Sequence, residues 1–168
     1  MRRPEPIEKE KFLGDDEILV SKTDRRGKIT YGNERFIEIS GYSEEELLGA
    51  PHSIIRHPDM PKAVFKILWD GIEAGEEVAA YVKNLAKDGS YYWVFATVTP
   101  SFDPATDSIV GYFSVRRAPE SSKLRKVIPL YKELLRVEKS GGMEASKAMM
   151  DDILKKEGKR YDEFIHSL

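Results

Sequence analysis

Two β-rich runs, "EVAAYVKNLA" and "SYYWVFATVTP", are joined through Lys87, Asp88 and Gly89. An Asp-Gly pair between two such runs specifies an antiparallel hairpin, because glycine supplies the positive φ that the turn needs. A lone hairpin is marginal in water, so the rest of the chain must give it neighbours. "EILVSKTDRRGKITYGN" reads as two short strands around a turn at Asp24 to Gly27, with Ile29 and Tyr31 alternating with Lys28 and Thr30. "SIVGYFSVRRA", after the turn "DPATD", supplies a fifth strand.

The segment between the second and third strands is helical in pattern. Phe36, Ile37 and Ile39 lie on a short helix from Asn33 to Ser40 that Gly41 ends. In "YSEEELLG", Ser43 is placed as an N-cap with Glu46 three residues on, a capping box. From Met60 to Ala74, the residues Val64, Ile67, Leu68 and Ile72 form one helical face, closed by Gly75. Five antiparallel strands with helices massed on one face make an α+β domain. Residues 16–119 are expected to form it. Residues 1–15, charged and bearing Pro4 and Pro6, are expected to be a flexible arm. Residues 120–168 are expected to form C-terminal helices for signalling or dimerisation. Their apolar stripe runs through Leu124, Val127, Ile128, Tyr131, Leu134 and Leu135, with a kink expected at Pro129 and a break at Gly141 and Gly142.

Composition narrows the function. The 168 residues carry a formal net charge of −2, with no basic excess to neutralise phosphates, so nucleic acid is not expected as the main partner. There is no cysteine, which excludes disulfides, thiolate metal sites and cysteine nucleophiles, and fits a cytoplasmic setting. The N-terminus lacks an apolar signal region, and no run approaches the ~20 apolar residues that span a bilayer. A soluble protein is expected, with any membrane role arising through a partner.

"GAPHSIIRHPDMPKAVFKILWDG" holds two of the three histidines, His52 and His57, in a proline-rich loop with Arg56 and Asp59. Three converging metal ligands at helical spacing are missing, as are a Ser–His–acid order and a glycine-rich phosphate loop. Asp59 is placed to cap a helix beginning at Met60, and Pro61 suits its first turn. That cap leaves Arg56 and His57 unexplained; two cations beside a helix N-terminus favour an anion. Trp69 lies off the apolar stripe, and Trp93 shares a strand side with Tyr91 and Phe95. These rings suit core packing or a planar aromatic ligand. Asn84, inside an apolar strand, either finds an inward hydrogen-bonding partner or faces solvent.

These residues carry a resemblance. "ITYGNERFIEISGYSEEELLGAPHSIIRHPDMPKAVFKILWDGI", "VKNLAKDGSYYWV", "GYFSVRR" and "PLYKEL" resemble the PAS domain of bacterial aerotaxis receptors, over residues 15–136. The resemblance implies the PAS fold and non-covalently bound FAD, with Arg56, His57 and Asp59 as the FAD-associated loop. Asn33, Trp69, Asn84 and His52 match further positions of that family's site. It also implies a redox or oxygen sensor and not an enzyme, possessing a signalling partner such as a membrane chemoreceptor-like transducer and forming homodimers through PAS-flanking helices. Because aerotaxis receptors continue into a membrane segment, the chain looks more like the stand-alone PAS proteins of bipartite energy-taxis systems. The alternatives are a cofactor-free interaction module and a haem-binding gas sensor; a cysteinyl–flavin photosensor is impossible without cysteine.

Overall fold

In the computed structural model, which describes residues 2–168, five strands form one antiparallel sheet. They are β1 (Ile18–Asp24), β2 (Ile29–Gly32), β3 (Val78–Leu85), β4 (Tyr91–Phe102) and β5 (Ile109–Arg117), in the order β2-β1-β5-β4-β3. The β3–β4 hairpin is the one read from the sequence. Gly89 has φ +91, and the Asp88 carboxylate accepts the Ser90 amide at 3.0 Å. Three helices lie between β2 and β3: α1 (Glu34–Ser40), α2 (Glu44–Leu47) and α3 (Lys62–Glu73). A 3-10 turn over His52–Ile55 precedes α3.

The local signals behave as their chemistry dictates. Asn33 caps α1 by accepting the Phe36 amide, and Gly41 closes it in the left-handed region at φ 75. The same Asn33 amide also bonds Val20 and Ile18, tying α1 to β1. Ser43 and Glu46 form the capping box of α2. Val64, Leu68 and Ile72 of α3 are buried, while Ile67 packs from the margin.

The expectation for Asp59 is corrected. It does not cap α3, whose N-cap is Pro61 with no side-chain bond of its own. Its carboxylate bonds the Lys83 ammonium at 2.9 Å instead. The first turn of α3 is served by Glu138, 76 residues away from Lys62 in sequence.

The expected flexible arm is also corrected for residues 7–11. β5 ends opposite Phe95, so the start of β4 has backbone groups that β5 cannot reach. The arm takes them: Tyr91 donates to the Lys9 carbonyl at 2.9 Å, and Lys11 donates to the Tyr91 carbonyl at 2.7 Å.

Beyond β5 the chain forms α4 (Ser121–Glu157) and α5 (Tyr161–His166). Pro129 lies inside α4 with helical backbone angles. The break falls at Gly142, with φ 72 and ψ −172. Side chains alternate across a strand. On β3 and β4, Val82, Asn84, Ala96 and Val98 point toward α3, while Tyr81, Trp93 and Phe95 meet the C-terminal helices on the other face.

Candidate functional site

Between α3, the His52–Ile55 turn and the inner sheet face lies a cavity of about 310 Å³. Its walls are largely apolar: Ile55, Phe65, Leu68, Trp69 and Ile72 on one side, Val82, Ala96 and Val98 on the other. Trp69 sits edge-on to Tyr112, with ring centroids 5.4 Å apart. Gly27 permits this placement, since at φ +86 a Cβ there would lie 3.2 Å from the Trp69 ring. A space of this size and polarity suits a planar aromatic group.

The polar lining is cationic. Arg56 and Arg116 face the cavity, Arg26 stands at its rim, and no carboxylate lines it. Arg116 is buried at 2% exposure, stacked 4.5 Å over the Phe36 ring, with one amino group 3.0 Å from His52 Nε2. A guanidinium only donates, so His52 Nε2 is an acceptor and the ring is neutral. Ser21 Oγ stands 2.9 Å from the same nitrogen. Burial, with the charges of Arg116 and Arg56 behind it, drives the His52 pKa down from 6.5 to about 3. Burial likewise lowers Arg116 to about 10. Arg56 lies 3.8 Å over the Phe65 ring and pairs backbone to backbone with Asn84. Burial and then Arg3 lower its pKa. Arg3 also fastens the loop, donating to the carbonyls of Ser53 at 2.8 Å and Arg56 at 2.6 Å.

Among the described residues, five buried side-chain polar atoms have neither a hydrogen bond nor an ion pair. Four belong to cavity residues: Arg56 Nε, Asn84 Nδ2, and Nε and Nη2 of Arg116. Buried donors are almost always paired in folded proteins. A cluster of orphans around one apolar cavity therefore fits a bound group rich in acceptors.

The site residues expected from the sequence fall into two sets. His52, Arg56, Trp69 and Asn84 come together at the cavity. His57, Asp59 and Asn33 do not line it. His57 is buried against Tyr91, and its Nδ1 accepts the Asp59 amide at 3.0 Å. Burial followed by the Lys83 charge lowers its pKa. Burial raises the pKa of Asp59, but the Lys83 bond and charge outweigh it and the net shift is downward. Asn33 serves the α1 cap. Sequence reasoning missed Arg116 and Ser21. Both sit on strands at inward register, where a buried arginine within "GYFSVRR" is the one visible signal.

Residues 29–112 match the PAS fold family. The aerotaxis receptor of Escherichia coli strain K12 is 43% identical over 122 residues, covering 73% of this chain and 24% of the receptor. A nitrogen fixation regulatory protein of Klebsiella pneumoniae is 29% identical over 100 residues, 60% of this chain and 20% of that protein. The chain thus spans a quarter or less of these relatives' lengths. Among solved structures, the dark state of the blue-light photoreceptor Aureochrome1 LOV aligns with a TM-score of 0.58 at 24% identity, over 66% of this chain and 82% of that one. A PAS domain from Colwellia psychrerythraea aligns with a TM-score of 0.56 at 21% identity, over 62% and 87%. Among the described residues no helix is long and apolar enough to cross a membrane.

Proposed function

The chain belongs to the PAS family, and from that premise we propose that it is a redox sensor whose cavity holds the ring system of FAD. The observation that carries this reading is the group of four orphaned donors around an apolar, carboxylate-free cavity. A flavin ring is planar and apolar on its faces, with carbonyl and imine acceptors along one edge. Arg116 and Arg56 would supply donors to that edge, while Trp69, Phe65 and Leu68 would flank the faces.

When bound, FAD supplies a redox couple whose N5 accepts a hydrogen bond in the oxidised state and donates one when reduced. Asn84 is suited to answer, because turning its amide exchanges an acceptor for a donor. Its Nδ2 has no other partner, so the turn breaks no existing bond there. One such bond is worth about 1–3 kcal/mol. A switch from mostly off to mostly on needs about 5.5 kcal/mol of differential interaction, so further groups must move with Asn84. The role of His57 and Asp59 is to hold the loop and β3 edge from outside, through Lys83. Asn33 holds β1 against α1.

In this reading the core spans residues 16–119, and residues 120–168 carry the output to a signalling protein such as a chemoreceptor-like transducer. The protein senses and relays; it does not turn over a substrate. Haem fits less well, since the one histidine at the cavity has its Nε2 engaged by Ser21 and Arg116.

An absorption spectrum of the purified chain, with the cofactor released by heat and identified, tests the reading. A flavin spectrum and free FAD support it, a Soret band moves the site to haem, and a chain still colourless after incubation with FAD overturns it. Asn84→Leu should still bind FAD and lose any redox-dependent change in the C-terminal helices. If that variant switches normally, Asn84 is not the relay.

A further inference from the structure

Helix α3 carries one wall of the cavity and begins without a cap of its own, after Pro61. The Glu138 carboxylate from α4 takes that role, accepting the Lys62 amide at 3.0 Å and the Ala63 amide at 3.3 Å. An acceptor and a negative charge at a helix N-terminus both stabilise it. The fully buried Ser146, beyond the Gly142 break, donates to the same carboxylate at 2.7 Å. One side chain therefore ties together α3 and both limbs of α4. Two turns earlier on α4, Tyr131 donates to the Tyr81 carbonyl of β3 at 2.6 Å. The helix is fastened at one point to each wall of the cavity, to β3 by Tyr131 and to α3 by Glu138.

We propose that Glu138 is the positioning residue through which the C-terminal helices and the α3 wall of the cavity control each other's placement. Occupancy that shifts α3 relative to β3 must load or relieve this fastening. Coupling between two sites is reciprocal, so docking of α4 must change the cavity's affinity by the same factor as occupancy changes docking. The coupling half of the inference rests on the flavin reading; the fastening half does not.

Limited trypsin digestion of the full chain, with and without FAD, tests both halves on the lysines and arginine between 139 and 160. Cleavage reports the population of undocked tail when opening is fast. We expect Glu138→Ala to be cut about fivefold faster than the unchanged chain without FAD, the effect of losing one helix cap. Glu138→Gln should recover most of the protection, because its amide oxygen still accepts from Lys62. Bound FAD should slow cleavage of the unchanged chain and slow that of Glu138→Ala much less. A uniformly loosened protein would be cut faster in both forms with the FAD ratio intact, and that result overturns the coupling. Equal cleavage of Glu138→Ala and the unchanged chain without FAD overturns the fastening. If absorption shows that FAD does not bind, the flavin reading and the coupling both fail, and the FAD-free arms still decide the fastening.

Discussion

The two faces of the sheet over β3, β4 and β5 treat polar groups in opposite ways. On the outer face every buried hydroxyl of the C-terminal contact is used. Tyr131 gives its proton to the Tyr81 carbonyl, so Tyr161, 2.8 Å away, must donate to Tyr131. On the inner face Asn84 Nδ2 and two nitrogens of Arg116 have no partner. The same strands thus carry a closed contact on one side and an open one on the other. Completed bonds stabilise the fold, whereas buried open ones cost stability until something else completes them. The difference separates side chains whose bonding is complete from those whose bonding is left open, even where both are equally buried.

Substitutions on the two faces should therefore fail in different ways. The largest effect is expected for His52→Leu, which removes the acceptor of Arg116 and strands a buried guanidinium. Chemical denaturation should show a loss of about 3 kcal/mol, and His52→Gln should recover part of it. Arg116→Met should weaken FAD by about thirtyfold, from one lost charge-assisted bond of about 2 kcal/mol, as read by fluorescence titration. Without FAD its melting temperature should hold or rise, because a half-satisfied buried charge has been removed. Tyr131→Phe should do the reverse, lowering stability by about 1–2 kcal/mol while weakening FAD far less than Arg116→Met does. If Tyr131→Phe loses FAD while Arg116→Met only melts earlier, the contrast between the faces is wrong.

A graded effect is expected from pH. His52 has a pKa of about 3 in the folded chain against 6.5 for an unperturbed histidine. Between those values the unfolded chain binds a proton that the folded chain refuses. The stabilisation is complete above 6.5 and is lost as the pH falls toward 3, by at most about 1.4 kcal/mol per unit. Denaturation midpoints at pH 5 and 7 should show this slope, reduced in His52→Gln.

Much of the fold was legible because its signals are local. Asp88-Gly89, Ser43 with Glu46, and the 3.6-residue stripe of α3 each act within a few residues, and each forms the element expected of it. What failed was decided by competition over long distances. Asp59 had the position to cap α3, but Lys83 offered it an ion pair and Glu138 filled the cap. The break at Gly142, by contrast, falls within the Gly141–Gly142 pair expected to carry it. The candidate site was half legible for the same reason. The loop displayed His52 and Arg56 beside Trp69, and Asn84 stood out in an apolar strand. Arg116 looked like one of two adjacent arginines at a strand end, and only strand register turns it inward while Arg117 remains exposed.

Sheet order also bears on how the molecule comes into being. β1 lies beside β5, with Ile18 opposite Arg117, so the centre of the sheet joins the two ends of the domain. Such distant pairing is slow, because a long loop must close before any contact repays it. The β3–β4 hairpin has no such delay. Ser21 comes from β1 and Arg116 from β5, and they meet at His52 only when that last seam closes. During refolding, amide protection should therefore appear in β3 and β4 before β1, and the cavity should acquire its affinity only at the final step.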